Sequence, residues 1–527
     1  MISFREFPYP SQRMPVLAHN VVATSQPLAA QAGLRMLLKG GNAVDAAIAA
    51  AITLTVVEPT SNGLGSDAFA LVWSDHRLYG LNGSGRAPRA WSYEHYAHLD
   101  RMPELGWGSV TVPGAVDAWV KLSRKFGKLP FGELFEPAIG YAQKGFIVSP
   151  ITADRWALAV DRFQDFPDFK QTFLPGAKAP AAGELFACQD QARTLRMIAD
   201  SMGESFYRGD LAKQIVECAQ SNGGLMALED LAEHSSEWVT PLAVKYRDIC
   251  LHELPPNGQG LAALIALGIL NQFDVSRYPV DSADSLHLQI EAIKIAFAEA
   301  YRHIADIDSM QADPAEFLNT AFLAPRAREI SMTAAGFPES SLPADHGTVY
   351  LAASDATGMM VSFIQSNYLG FGSGIVIPNT GIAMQNRGCG FVLDKHHPNC
   401  VAGGRRPFQT IIPGFVTRDN RSLMSFGVMG GSMQPQGHVQ MMVRMFDYGL
   451  NAQAASDAPR WRVDDDLNVA VEPGFSRTVI RDLKSRGHNI IEDGEIFRYG
   501  GAQIIQRLPN GYCAASDHRK DGQAVGY

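Results

Sequence analysis

The hydrophobic positions near the start of the chain predict two consecutive helices. Ser25 can cap the first helix, and Pro27 suits its first turn. Its apolar stripe would consist of Leu34, Leu37 and Leu38. Asn42 can cap the second helix, which would run from Ala43 to Val57 and is apolar on almost every face. A helix of that kind is buried, so we expect it in the core.

Later apolar runs predict strands that pair in hairpins. Residues 68–73 and 78–82 form one such pair, and two further strands begin at Thr348 and at Met359. Residues 131–305 have mainly helical periodicity, whereas strands dominate the chain after residue 348. This order predicts an α+β protein in which helices cover the sheets of one layered unit.

The composition narrows the class of partner. The 527 residues are 46% hydrophobic and 19% charged, and the net charge is -9 with no Lys/Arg-rich run, so nucleic acid is not an expected partner. The most apolar run, residues 43–57, is too short to cross a bilayer and contains Asp45, so no membrane partner is expected. Residues 1–8 lack the apolar core of a secretory signal, and the six cysteines are scattered, so we expect a cytoplasmic location.

The bond between Gly347 and Thr348 is a candidate for cleavage. Residues 334–347 are polar, rich in Pro and Gly and without a periodic pattern, so we expect an exposed linker before this bond. A cut would make Thr348 a new N-terminus, and its α-amine, with a pKa of about 8, could accept the proton of its own hydroxyl. A Thr after Gly at the start of a strand also has an ordinary explanation, which is β-propensity.

The remaining signals for catalysis or metal binding are weak. The sequence has no Gly-x-Ser-x-Gly, Gly-x4-Gly-Lys-Ser/Thr, His-Glu-x-x-His or Cys-x-x-Cys motif. Residues 394–400 include His396 and His397, but adjacent side chains on an extended segment point in opposite directions. We therefore interpret this stretch as a polar loop and predict no metal site.

Several short motifs are spread in order along nearly the whole chain. They are GGNAVDAA (40–47), NGLG (62–65), TVPG (111–114), NGG (222–224), LEDL (228–231), PPNGQG (255–260), GFGSG (370–374), RP (406–407), GGS (430–432) and DYGL (447–450). Together they resemble the γ-glutamyltransferase family of N-terminal-nucleophile hydrolases.

The resemblance implies a four-layer αββα sandwich of the N-terminal-nucleophile hydrolase type, with a helical insert in the large subunit. It also implies one precursor that cuts itself into a large subunit, residues 1–347, and a small subunit, residues 348–527, which together build one αββα unit. The number of such units in the assembly stays open, an (αβ)2 form included. No metal or organic cofactor is implied.

The resemblance further implies the catalytic residues. The register set by the motif at 370–374 puts the family's nucleophile on Thr348, and the second hydroxyl, which assists it, falls on Ser366. The two backbone N–H groups of the oxyanion hole fall on Gly430 and Gly431. Glycine suits that position, because without a Cβ the backbone can approach the substrate. A plain tight turn is the alternative interpretation of this glycine pair.

The family's substrate contacts are replaced in this sequence. The Arg that grips the glutamyl α-carboxylate falls on Ser84, with Arg86 two residues on, and Arg387 stands where the family has a neutral residue. The family's Asn, its ammonium-binding Asp and its Ser pair fall on Tyr368, Gly390, Gln409 and Thr410. Arg387 could bind a substrate carboxylate bidentately, or it could form a structural ion pair.

These departures favour a small amide that carries a carboxylate and no free amino group, since an ammonium would be left unpaired in the site. Within the family they resemble the oxamate amidohydrolase branch of purine and allantoin breakdown, which predicts conversion of oxamate to oxalate and ammonia. Three alternatives stay open. They are a γ-glutamyl hydrolase or transferase for glutathione-like amides, an acylase for glutaryl-type amides, and a carboxylate-binding protein without catalytic activity.

Overall fold

The structure is a computed structural model that describes residues 12–336, 347–464 and 466–527. The predictions for residues 1–8 and for most of the linker, residues 337–346, lie outside these ranges. Among the described helices, none has the length and apolar character needed to cross a membrane. All six cysteines are free thiols.

Two seven-stranded sheets form the centre of the fold. Their strands, with those of three smaller sheets, are β1 (Val16–Ala18), β2 (Val21–Thr24), β3 (Asp67–Ser74), β4 (Arg77–Gly83), β5 (Phe146–Ile147), β6 (Leu185–Phe186), β7 (Glu237–Val239), β8 (Leu242–Tyr246), β9 (Ile249–Glu253), β10 (Val349–Ser354), β11 (Met360–Ser366), β12 (Val376–Ile377), β13 (Ile382–Ala383), β14 (Gly414–Arg418), β15 (Arg421–Val428), β16 (Trp461–Val463), β17 (Val469–Val471), β18 (Ile490–Glu492), β19 (Ala502–Leu508), β20 (Gly511–Ser516) and β21 (Gln523–Gly526). The first large sheet has the order β1-β20-β19-β15-β14-β9-β8, and the second has the order β21-β2-β10-β11-β3-β4-β7.

Helices cover these sheets. In chain order they are α1 (Pro27–Leu38), α2 (Ala43–Val57), α3 (Tyr93–Tyr96), α4 (Ala115–Phe126), α5 (Glu136–Lys144), α6 (Pro150–Ala157), α7 (Ala159–Arg162), α8 (Pro167–Phe173), α9 (Gln189–Asp200), α10 (Glu204–Tyr207), α11 (Asp210–Ser221), α12 (Leu228–Ala232), α13 (Gly260–Leu270), α14 (Ala283–His303), α15 (Thr320–Glu329), α16 (Met433–Phe446), α17 (Ala452–Asp457) and α18 (Arg477–Ser485). The α+β class predicted from the sequence is confirmed.

The two large sheets pack against each other through apolar side chains. Their shared cluster includes Phe69, Tyr350 and Ile364 from the second sheet and Phe415 and Ile505 from the first. The alternate residues of β3, β10 and β11, which point to the other face, pack in a second cluster with the buried helix α2. A third cluster joins the other face of the first sheet to α13, α14 and α16.

The second sheet combines strands that precede Thr348 in the sequence with strands that follow it. β10 and β11, which follow Thr348, lie between β2 and β3. The register pairs Val349 with Gln365 and Ser366 with Asp67, so Thr348, Ser366 and Asp67 lie side by side at one end of the sheet. Their side chains point toward the first sheet, because the residues two positions further along these strands belong to the cluster between the sheets.

The predictions of the first two helices differ in accuracy. The prediction of α2 is confirmed, with a capping box formed by Asn42 and Asp45. For α1 the predicted cap is wrong: the side chain of Gln26 accepts hydrogen bonds from the first-turn amides, and the Ser25 hydroxyl donates to a buried carboxylate. The predicted stripe is wrong at Leu38, which is 63% exposed, because the buried face of α1 consists largely of Ala, Gly and Met.

The predicted helical stretch over residues 131–305 is wrong at residues 237–253. This part forms β7, β8 and β9, and β7 and β8 are edge strands of the two large sheets. Buried and less buried positions alternate along β8 and β9, which is the period of two expected of a half-buried strand.

Candidate active site

Thr348 lies immediately before β10 and is almost completely buried. Its Oγ1 donates a hydrogen bond to Ser366 Oγ at 3.3 Å, and Ser366 Oγ donates in turn to the carbonyl oxygen of Gly347 at 3.0 Å. The backbone N–H of Tyr368 donates to Ser366 Oγ at 2.8 Å, which fixes this hydroxyl. Ser366 therefore contacts both the predicted nucleophile and the carbonyl of the predicted cleavage site, whose oxygen it polarises.

Gly430 and Gly431 follow β15 in the facing sheet and precede α16. Their φ angles are 116° and 57°, in the left-handed region that favours glycine. A Cβ on Gly430 would lie 3.1 Å from Gly500 Cα, so a side chain would crowd the backbone there. Gln259 Nε2 donates a hydrogen bond to the Gly431 carbonyl at 2.8 Å and stabilises the turn.

A cavity of about 210 Å³ joins the predicted cleavage site to the glycine turn. Gly347 and Gly430 both line it. Its remaining walls are mixed apolar and charged side chains and backbone, contributed by Thr60, Ser61, Arg155, Leu158, Ala159, Arg162, Phe163, Leu369, Gly370, Phe371, Glu495, Phe497 and Arg498. The residue before the predicted nucleophile and the first glycine of the predicted oxyanion turn thus come from opposite sheets and line one cavity.

Arg387 is a buried cation near this end of the sheets. Its Nη1 donates to Thr410 Oγ1 at 2.7 Å, and its guanidinium lies 4.7 Å from the centre of the Tyr368 ring. Within the described part of the chain, its Nε and Nη2 have no hydrogen-bond partner. Burial lowers the pKa of Arg387 to about 10, so the group is charged near neutral pH. Nε and Nη2 form one edge of the guanidinium, and such an edge matches a carboxylate bidentately.

Tyr368 connects the two parts of the site. Its N–H contacts Ser366 Oγ, which contacts Thr348, while its ring packs against Arg387. Its φ of 76° is a strained conformation for a bulky residue, and such strain is concentrated at functional positions. The predicted nucleophile Thr348 and the buried cation Arg387 are therefore linked through Ser366 and Tyr368.

Asp67 is a site residue that the sequence analysis missed. Its Oδ1 accepts hydrogen bonds from the N–H groups of Gly85 and Gly114, at 3.2 Å and 3.1 Å, and its Oδ2 accepts one from Gln409 Nε2 at 3.0 Å. Burial raises the pKa of Asp67 to about 7, and the positive charge of Arg387 acts in the opposite direction. The available sequence signal was an Asp at the end of a Gly-rich turn that opens a strand.

Two of the predicted substrate contacts are engaged by protein groups. Ser84 Oγ donates to Asn82 Oδ1 at 2.8 Å and is buried. Arg86 forms ion pairs with Asp306 at 2.9 Å and Glu237 at 3.3 Å, and it is partly exposed. Arg86 thus forms direct ion pairs with two carboxylates, whereas no ion pair of that kind is found for the buried Arg387 among the described residues, although the Asp67 carboxyl lies near enough to affect its pKa.

The other predicted contacts lie around Arg387 and Asp67. Thr410 accepts from Arg387, and Gln409 donates to Asp67, while Gln409 Oε1 has no hydrogen-bond partner among the residues described. At Gly390, where the family has its ammonium-binding Asp, a Cβ would lie 2.5 Å from the Phe408 carbonyl oxygen. The backbone at this point leaves no space for a carboxylate side chain.

The histidine pair of the predicted polar loop has ordinary contacts. His397 Nε2 lies 2.8 Å from the Tyr301 carbonyl oxygen, and His396 N donates to a carboxylate of its own loop. Within the described ranges, one group of three potential metal ligands exists, formed by His287, Glu291 and His488. It involves none of the residues placed around Thr348.

Sequence comparison decides the family. The sequence model described as Gamma-glutamyltranspeptidase matches residues 29–527. The chain belongs to the gamma-glutamyltranspeptidase family. This confirms the family predicted from the ordered motifs, and with it the prediction of a hydrolase that acts on amide bonds.

Relatives of the family match the chain over nearly its full length. The Glutathione hydrolase-like YwrD proenzyme of Bacillus subtilis is 35% identical over 96% of this chain and 98% of its own. The Oxamate amidohydrolase proenzyme of Klebsiella pneumoniae is 34% identical over 97% of this chain and 99% of its own. Among solved structures, the cephalosporin acylase from Bacillus halodurans is 47% identical with a TM-score of 0.96, covering 100% of this chain and 99% of that one.

Proposed function

We propose that this member of the gamma-glutamyltranspeptidase family is a self-processing amidohydrolase whose substrate carries a carboxylate on its acyl group and no free α-amino group. The observation that carries the proposal is the buried edge of Arg387, whose Nε and Nη2 have no partner in the described chain. A buried unpaired guanidinium edge is costly, and a bound carboxylate would satisfy it.

Self-processing begins at the Gly347–Thr348 bond. Thr348 Oγ attacks the Gly347 carbonyl carbon, an ester forms to Oγ, and the C–N bond breaks to free the Thr348 amine. Water then hydrolyses the ester and leaves a Gly347 carboxylate and the restored hydroxyl. The bond from Ser366 Oγ to the Gly347 oxygen supports this assignment, as does the description of relatives as proenzymes. The products are subunits 1–347 and 348–527 of one αββα unit of the N-terminal-nucleophile type.

Turnover uses the freed N-terminus. The Thr348 amine, with a pKa of about 8, accepts the proton of Thr348 Oγ as that oxygen attacks the substrate carbonyl. The N–H groups of Gly430 and Gly431 stabilise the oxyanion, Ser366 holds the nucleophile, and the amine product leaves with a proton. Water then attacks the acyl ester and frees the acid.

The acyl pocket favours a carboxylate and disfavours an ammonium. Gly390 leaves no space for the acid that would pair an α-ammonium, and Arg387 adds a positive charge instead. An unpaired ammonium beside a buried guanidinium would be destabilised by desolvation and by repulsion. Oxamate, a primary amide joined directly to a carboxylate, is the smallest substrate of this class, and a relative of similar length bears that name.

The cavity favours a second candidate, an acylase that releases a large amine. Its volume of about 210 Å³ exceeds what ammonia needs, since a water molecule occupies only about 30 Å³ in the liquid. Phe163 and Phe497 give it apolar walls, and Arg155 and Arg162 add positive charge. The 47% identity to a cephalosporin acylase supports this candidate, with glutaryl-type amides as substrates.

A matched set of substrates separates these candidates. Glutaryl-p-nitroanilide and γ-glutamyl-p-nitroanilide differ only in the α-amino group, and oxamate tests the small-amide candidate. We expect turnover of glutaryl-p-nitroanilide or oxamate to exceed that of the γ-glutamyl compound, and Arg387→Met to raise KM for the preferred substrate. Arg86→Met serves as the control arginine. Preferred γ-glutamyl turnover, or equal effects of the two variants, would contradict the proposal.

The nucleophile has its own test. Thr348→Ala should give a single uncut chain without activity, whereas the parent protein should give two chains, the smaller with an N-terminal Thr. Two bands from the Thr348→Ala protein on a denaturing gel would refute the mechanism. An intact parent chain by mass spectrometry would instead favour the carboxylate-binding alternative without catalysis.

A further inference from the structure

A group of buried charged side chains holds the last described residues before the cleavage site. Residues 331–336 follow α15 and have mostly exposed or half-buried side chains, and Met332 packs against the core, so apolar burial holds this segment only in part. Its backbone is also hydrogen-bonded by α14 and by the segment that follows α18. The side chains and backbone involved belong to His287, Glu291, Lys294, Arg486 and His488, and we refer to these five residues as the Gly336 anchor.

A directional chain of hydrogen bonds runs through the anchor. Lys294 Nζ lies 3.3 Å from His488 Nδ1, His488 Nε2 lies 2.7 Å from His287 Nδ1, and His287 Nε2 lies 2.7 Å from the Ser331 carbonyl oxygen. Burial lowers the pKa of His488 to about 3 and also lowers the pKa of His287, so both rings are neutral near pH 7. With a lysine donor at one end and a carbonyl acceptor at the other, each ring accepts at Nδ1 and donates at Nε2.

Both backbone polar groups of Gly336, the N–H and the carbonyl, are hydrogen-bonded by the anchor. Lys294 Nζ donates to the Gly336 carbonyl at 3.1 Å and to Glu291 Oε1 at 3.0 Å. Glu291 Oε2 accepts from the Gly336 N–H at 2.7 Å. These bonds involve charged groups and are stronger than bonds between neutral ones.

Arg486 adds a third connection to the same segment. Its Nη1 donates to the Met332 carbonyl at 3.0 Å, and its own carbonyl accepts from Ala335 N–H at 2.7 Å. Arg486 and His488 follow Thr348 in the chain, whereas His287 precedes it along with Glu291 and Lys294. The anchor therefore connects the two sides of the proposed cut.

The anchor is complete without a metal ion. His287, Glu291 and His488 have ligand atoms within 4.8 Å of one another, a spacing that a cation could use. Both Glu291 oxygens already accept hydrogen bonds, and Lys294 supplies a positive charge 3.0 Å from one of them. A metal ion would have to displace that charge, so Lys294 acts as the cation of this cluster.

We infer that the Gly336 anchor positions the precursor for self-cleavage. Thr348 lies twelve residues after Gly336, a distance that the chain spans with at most about 40 Å. Holding Gly336 in place fixes the chain at one point before the Gly347–Thr348 bond, which raises the fraction of chains with the carbonyl aligned for attack. The anchor residues are positioning residues, and the inference rests on the proposed self-cleavage.

The test measures cleavage of newly made protein separately from turnover by mature protein. Cell-free synthesis with samples taken over time onto a denaturing gel gives the cleavage rate. Gly336→Pro removes the Gly336 N–H and also places a Cβ 2.9 Å from Glu291 Oε2, so both changes act on the contact with Glu291. Lys294→Met removes the central donor. Arg247→Met is the matched control, because Arg247 forms an ion pair with Asp447 across the same subunit division but touches no residue of 331–336.

We expect Gly336→Pro and Lys294→Met to slow cleavage about fivefold or more, while turnover per cleaved molecule stays within about twofold of the parent. Lys294→Arg should restore part of the cleavage rate, and Gly336→Pro should keep the parental unfolding temperature. Cleavage as fast as in Arg247→Met would overturn the inference, as would a parallel loss of turnover. Slower cleavage after EDTA treatment would also overturn it, since a metal would then hold the cluster. A parent chain that never cleaves would refute the self-processing proposal itself.

Discussion

Asp67 should make binding of a carboxylate at the proposed site sensitive to pH. In the unliganded enzyme its pKa is about 7, a balance between burial, which raises it, and the positive charge of Arg387, which lowers it. A carboxylate bound to Arg387 neutralises that charge, so the pKa of Asp67 rises in the complex. At a pH between the pKa of Asp67 in the unliganded enzyme and its higher pKa in the complex, Asp67 takes up a proton when the carboxylate binds. The affinity for the carboxylate therefore falls as the pH rises above 7.

The size of the effect follows from the pKa of about 7. At about pH 8.5 the unliganded carboxyl is ionised, and protonating it on binding costs 1.36 kcal/mol per pH unit, or about 2 kcal/mol, which is about 30-fold in affinity. Asp67→Asn removes the titrating group. The Asn oxygen can still accept from Gly85 and Gly114, and Gln409 can rotate its amide, because its Oε1 has no partner in the described structure.

Calorimetric titration of the mature enzyme with glutarate checks this prediction. We expect the parent to lose affinity steadily between about pH 7 and 8.5 and to take up protons, seen as a heat that depends on the buffer. Asp67→Asn should bind with nearly constant affinity over this range and more tightly than the parent at the high end. A flat profile for the parent, or a variant that titrates as the parent does, would refute the coupling between Asp67 and Arg387.

Three further predictions concern the hydroxyl pair, the glycine turn and a helix cap. Ser366→Ala removes the donor to the Gly347 carbonyl and should slow self-cleavage about 100-fold, measured on denaturing gels; an unchanged rate would exclude an electrophilic role for Ser366. Gly430→Ala forces a side chain into a φ of 116° and should cost about 1–3 kcal/mol of stability and most of the turnover, measured by urea unfolding and a substrate assay; full activity would argue against the oxyanion turn. Asn42→Ala removes the cap of α2 and should lower the free energy of unfolding by about 1 kcal/mol without changing KM, a result that equal unfolding midpoints would contradict.

The sequence predicted best those elements whose signals are local. The helix α2 carries its own cap in Asn42 and Asp45 and is apolar throughout, so nothing distant had to be known. Ser25 and Gln26 were harder, because either can cap a helix; the choice depends on a buried carboxylate 33 residues away that takes the Ser25 hydroxyl. The strands β8 and β9 were missed because five residues give too short a pattern to distinguish from a helix without knowledge of their neighbours.

The residues of the candidate site also fall into those that the sequence could predict and those that it could not. Thr348, Ser366 and Gly430 could be predicted as site residues because ordered motifs fix their register along the chain, and their roles stay predictions. Asp67 could not, since two of its partners, Gly114 and Gln409, lie 47 and 342 residues away and only the folded sheets bring them together. The ion pairs of Arg86 with Asp306 and Glu237 also could not be predicted from the sequence. Because Arg86 is paired in this way, we propose Arg387 as the cation of the acyl pocket.

The position of β10 and β11 between β2 and β3 has a consequence for how such a protein can be made. A large chain produced alone would have two open strand edges facing an empty slot, and a small chain produced alone would begin with an unsupported hairpin. Open edges of that kind recruit other strands and aggregate. When the protein is made as one polypeptide, the strands of residues 348–527 can pair with those of residues 1–347 during folding, before any bond is cut. We therefore expect separate chains 1–347 and 348–527, when co-expressed, to assemble poorly, even if the proposed cut of the folded chain leaves its sheets intact.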